Sequence, residues 1–123
     1  MYRRMTFVDA AALVAVLAPA TPEDRLVGEE WQSELDAGTT LVTTDHALTT
    51  ASVALQRSHG LVGLTVLHEV VAPALHVAPC TPSDYERAVA ALLATDGSGD
   101  DLRVAIDRQV RRRLRVTTDL RWI

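Results

Sequence analysis

Three aspartates stand where a β-favouring run meets a helix-favouring one. Asp9 follows Phe7-Val8 and opens the run Ala10 to Ala18, Asp101 precedes Leu102, and Asp119 ends the run Leu114-Arg115-Val116-Thr117-Thr118. Taken singly, each reads as a helix cap or a turn residue, because a carboxylate accepts from free N–H groups and suits the positive end of the helix dipole. Taken together they imply more. If the strands run parallel, these acids arrive at one edge of the sheet, with Asp100 beside Asp101 as a further candidate. Crowded carboxylates repel and raise one another's pKa unless a cation compensates. Oxygen ligands with room for water suit Mg²⁺ or Mn²⁺, and such an ion can activate water for in-line cleavage of a phosphodiester.

The elements that must position these acids are marked by punctuation. Pro19 stops the first helix, and Thr21-Pro22-Glu23-Asp24 opens a second with a capping Thr, Pro at the first turn and early acids. That helix is expected to carry Leu26, Val27, Trp31 and Leu35 inward and to end at Gly38. Residues 39–43 form a β-rich run. A third helix is expected from Asp45 to His59, with Leu48, Ser52 and Leu55 on one face and Gly60 as its stop. Residues 63–71 give a shorter helical segment before Pro73, and residues 74–78 a strand. Thr81-Pro82-Ser83-Asp84 repeats the start signal for a helix through Leu93. Leu102 to Arg113 carries Leu102, Ala105, Ile106, Gln109 and Val110 at spacings of three and four, and residues 114–118 form the last strand. Short strands alternating with helices indicate a parallel sheet covered by helices, whose ligands sit beyond the carboxyl ends of the strands.

Composition sets limits. The 123 residues suit a single domain spanning 1–123. Net charge is −4 and all 12 basic residues are Arg, so non-specific affinity for phosphate is weak and a nucleic-acid role needs a local Arg patch or a metal. The absence of Lys excludes P-loop chemistry. The basic concentration RQVRRRLR, residues 108–115, offers Arg111, Arg112, Arg113 or Arg115 to RNA phosphates or to an acidic partner segment. The alternative is a solvated helix end with an Arg103–Asp107–Arg111 ladder at four-residue spacing. Cys80 is the single cysteine, which excludes an internal disulfide and fits a reducing cytoplasm. His46, His59, His68 and His76 lack metal-site spacing and read as solvated or core residues. Trp31 and Trp122 read as packing residues. No apolar run reaches the roughly 20 residues of a bilayer span, so no membrane association is expected.

At three places the chain resembles the PIN-domain family, and within it the small VapC-like ribonuclease toxins: FVDAAALVAVL, TTDHALTTASVAL and DLRVAIDRQVRRRLRVTTDLRW. Asp9 matches the family's first acid and Asp119 its last, with Thr117 at the usual Thr and Trp122 at the usual aromatic. The resemblance implies a three-layer α/β/α sandwich and a Mg²⁺- or Mn²⁺-dependent ribonuclease in which Asp9, Asp101 and Asp119 bind the metal. It also implies a small antitoxin as partner and a homodimer. Thr50 stands where the family usually has Glu; it can hold a water but brings no charge, and Asp45 substitutes only if the helix starts differently. Counting back from Asp119 without gaps places the third acid at Asp101, whereas alignment with longer members places Val104 there. Asp107 is set aside as too near the final strand. The competing reading is a PIN-like module without catalysis that binds RNA or protein.

Overall fold

The structure, a computed structural model, describes residues 4–95 and 101–120; Asp100 and Trp122 lie outside them. Four short strands, β1 (Met5–Phe7), β2 (Thr40–Thr44), β3 (Leu75–Ala78) and β4 (Thr118–Asp119), form one sheet in the order β3-β2-β1-β4. Every pairing is parallel. Between them run α1 (Ala10–Leu17), α2 (Pro22–Asp36), α3 (Asp45–Val66), α4 (Pro82–Ala94) and α5 (Leu102–Leu114). The two Thr-Pro start signals are capping boxes: Thr21 and Thr81 accept from Asp24 and Asp84, whose carboxylates accept in return from the cap backbone.

Alternation along β2 builds the layers, because successive strand side chains point to opposite faces. Leu41 packs with Leu13, Val27, Trp31 and Leu55, from α1, α2 and α3. Its neighbour Val42 packs instead with Val110 of α5, while Ala88 of α4 meets Ala105 and Ile106. The sheet therefore lies between two helical layers, as an α/β/α sandwich. Burying a side chain such as Leu13 or Leu55 completely stabilises the fold by about 1.5–3 kcal/mol each. Among the described residues no helix is long and apolar enough to cross a membrane.

Three expectations need correction. Leu26 points outward, 47% exposed, because the inward stripe of α2 is Val27 and Trp31. Leu114 belongs to α5, which closes on Arg115 in the left-handed conformation (φ 58°), so the last strand shrinks to two residues and contains Asp119. The third helix does not stop at Gly60. That residue adopts φ 66°, ψ −155°, and the chain resumes helical geometry to Val66, since Leu67 and Val71 beyond it have core positions to fill. A π turn over residues 67–71 and a 3₁₀ turn over 72–74 then deliver β3.

A Cβ at Gly60 would meet no atom within 4 Å, so the cost of Gly60→Ala is purely conformational. It is expected to destabilise the protein by about 1–3 kcal/mol in urea unfolding. Gly28→Ala, inside α2 and equally uncrowded, is expected to stabilise it by up to about 1 kcal/mol.

Candidate active site

The chain just before Asp9 is clamped from both sides. Val8 N–H donates to the Val42 carbonyl at 2.8 Å, and the Thr43 hydroxyl donates to the Val8 carbonyl at 2.7 Å. Asp9 then leaves β1 as the N-cap of α1, accepting from Ala12 N–H at 2.8 Å. On the other flank, Asp119 of β4 lies in register with Phe7, and Leu120 N–H donates to the Phe7 carbonyl at 2.8 Å. Parallel pairing thus brings residues 110 positions apart to one edge.

One face of α5 closes that edge. Val104, Asp107, Arg108 and Arg111, at spacings of three, four and seven, line a cavity of about 410 Å³ together with Asp9, Asp119, His46 and Thr50. Asp107 reaches toward β2, where the Thr44 hydroxyl donates to it at 2.7 Å while accepting from Ala47 N–H to cap α3. Burial pushes the Asp107 carboxyl above its ordinary range; the Thr44 bond and charges on His46 and Arg111 pull it back, and the Asp9 carboxylate adds to the rise. Asp9 and Asp107 therefore feel each other's charge. Arg111 is the resident counter-ion. It forms an ion pair with Asp119, its Nε donates to the Val116 carbonyl at 3.4 Å, and its guanidinium stands 5.1 Å from the centroid of the Phe7 ring.

The sequence-predicted residues fare unequally. Asp9 and Asp119 share the cavity, as does Asp101, but Asp101 stands half exposed at the mouth. There it caps α5 through Val104 N–H at 3.0 Å and pairs with Arg103 at 2.8 Å, and the guanidinium holds its carboxyl below the usual carboxylate range. Val104 lies on the wall beside it. The expected Arg103–Asp107–Arg111 ladder does not form: Arg103 takes Asp101, Asp107 takes Thr44, and Arg111 takes Asp119. Asp45 is used elsewhere, accepting from Cys80 N–H at 3.0 Å to secure the loop after β3. Thr50 is on the wall, its hydroxyl donating to the His46 carbonyl at 3.0 Å. Thr117 is exposed and off the wall. Arg112 lines a separate groove with Arg87 and Arg113, and Arg115 is exposed.

Sequence reasoning passed over two residues on the wall. Asp107 was legible as part of the i, i+3, i+4, i+7 polar face of α5. His46 was legible as a residue directly beyond β2, at the same edge as Asp9. Among the described residues, no three His, Cys, Asp or Glu side chains stand at spacing that would hold a metal ion as they are. The reason is visible: Asp9, Asp107 and Asp119 are each engaged by a protein donor, respectively a helix N–H, a threonine hydroxyl and Arg111.

No protein-family model and no curated protein sequence matches the chain. Among solved structures, VapC20 of Mycobacterium tuberculosis, described as a sarcin-ricin loop cleaving toxin, matches with a TM-score of 0.82. The match covers 97% of this chain and 89% of that one, at 18% identity. The fold is that of a VapC-like PIN domain. Within this PIN fold the edge carrying Asp9, Asp107 and Asp119 is also the edge where parallel α/β sheets bind ligands.

A raised Asp107 pKa means that the native state binds this proton more tightly than the unfolded chain does. Stability from this group is then present at low pH and lost as pH rises through the folded pKa. Asp107→Asn, which keeps an acceptor for Thr44, is expected to raise the melting temperature at pH 7 by about 2–5 °C. The gain should vanish below pH 4, which a thermal-unfolding series against pH will check.

Proposed function

We propose that this chain is a divalent-metal-dependent ribonuclease of the PIN/VapC toxin type, acting on RNA phosphodiester bonds. The observation that carries the reading is the convergence of Asp9, Asp107 and Asp119, from three separate elements, on one cavity at the carboxyl edge of a PIN fold. The likeness to a sarcin-ricin loop cleaving toxin supports RNA as the substrate. The donor set fits a hydrated Mg²⁺ or Mn²⁺: three carboxylates, space for water, and a cationic group already held among them. We assign the third acid to Asp107 in preference to Asp101, because Asp107 is drawn inward by Thr44 while Asp101 is committed to Arg103 at the mouth.

When bound, the ion would supply a low-pKa water as nucleophile and neutralise charge on the scissile phosphate. The chain's own residues do the positioning. The Val8 clamp and the α1 cap fix Asp9, Thr44 orients Asp107, and Arg111 keeps Asp119 at the edge until a divalent ion competes for it. Arg111 also places a guanidinium where a phosphate would approach, with Arg112 and Arg115 exposed farther along the same helix end for RNA or a partner. A small antitoxin, a homodimeric assembly and a cytoplasmic setting belong to the same reading.

One observation favours a second reading. Thr50 brings no charge to the wall and its hydroxyl proton is spent on the His46 carbonyl, which fits a module that binds RNA or protein without cleaving it. Cleavage of a sarcin-ricin-type RNA stem-loop in Mn²⁺ separates the two. On the nuclease reading, Asp9→Asn and Asp107→Asn each lose about 100-fold or more in rate, and Asp101→Asn stays close to wild type. Absence of cleavage, with no rise in melting temperature at millimolar Mn²⁺, favours the binding module.

A further inference from the structure

We infer that His46 is a nitrogen ligand in the acidic cavity, standing in for the carboxylate that Thr50 does not supply; the inference rests on the metal-dependent reading above. His46 and Thr50 are four residues apart on α3, one turn along the same helix face, and both line the cavity. The Thr50 hydroxyl donates back to the His46 carbonyl, so it offers the cavity only a neutral lone pair. His46 offers more. Its Nε2 is buried and has no hydrogen-bond partner among the described residues. A buried polar atom without a partner is rare in folded proteins and calls for a ligand or water to satisfy it.

The contrast with the other histidines sharpens the point. His68 Nε2 lies 2.9 Å from the Ser52 hydroxyl, and His59 Nδ1 lies 2.7 Å from the Ser58 hydroxyl, so both are satisfied within the fold. His46 is satisfied by nothing of the kind, yet its charge is felt at Asp107, across the cavity from its own helix. A neutral imidazole presents the unprotonated nitrogen a metal needs. Adding one nitrogen to an oxygen set moves selectivity away from Mg²⁺ and toward Mn²⁺ and the later first-row ions. Preference for Mn²⁺ over Mg²⁺ is therefore written into this wall by His46.

Electron spin-echo modulation of Mn²⁺ bound to the wild-type protein reads the bond directly. Coupling to an imidazole ¹⁴N is expected, and it should vanish in His46→Asn. In titrations followed by Mn²⁺ resonance, His46→Asn should weaken Mn²⁺ binding by about tenfold while leaving Mg²⁺ competition little changed. The double variant His46→Asn/Thr50→Glu should regain affinity without regaining the nitrogen signal. Bound Mn²⁺ that is lost in Asp9→Asn but shows no ¹⁴N coupling overturns the inference and leaves the nuclease reading standing. Wild-type protein that takes up no Mn²⁺ at millimolar concentration overturns that reading, and the inference with it.

Discussion

Everything at the carboxyl edge of this sheet depends on how negative charge is held there. Asp9, Asp107 and Asp119 reach one cavity, and like charges at that range disfavour one another's ionised forms. Removing them from water adds a further penalty unless each finds a partner. In the structure each has found one: a helix N–H, a threonine hydroxyl and the guanidinium of Arg111. Arg111 matters most, because it alone brings positive charge to Asp119, and it is itself held against Phe7 and the Val116 carbonyl. The edge is thus stable with its internal cation and primed for exchange with an external one.

The fold supplies that arrangement through parallel pairing. β1 sits between β2 and β4, so the residues that follow or end these strands project in one direction. The threonines of β2 do the local work, Thr43 anchoring the carbonyl before Asp9 and Thr44 serving both α3 and Asp107. Both hydroxyl groups are completely buried, where a hydrogen bond to a strong acceptor is obligatory. Stability and site geometry share the same bonds.

Much of this was legible in the chain. Capping boxes at Thr21 and Thr81, the Asp9 cap and the alternation of short strands with helices are local signals, and local signals survive folding intact. The register of α5 against the sheet is not local. Whether Asp101 or Asp107 enters the cavity depends on where the helix ends, and Arg115 in left-handed geometry extends α5 through Leu114 and shortens the last strand. Composition cannot foresee that. His46 escaped notice for a different reason: the strand-end rule was applied to acids, though Asp45 and His46 follow β2 as directly as Asp9 follows β1. Once Asp45 is committed to Cys80 N–H, the residue at the edge is His46.

The most direct measurement is anomalous diffraction from crystals soaked in manganese. Convergence of the three carboxylates requires a single peak among Asp9, Asp107 and Asp119, with the Arg111 guanidinium displaced from Asp119. A map in which Arg111 still holds Asp119 and no peak rises in that cavity would contradict it.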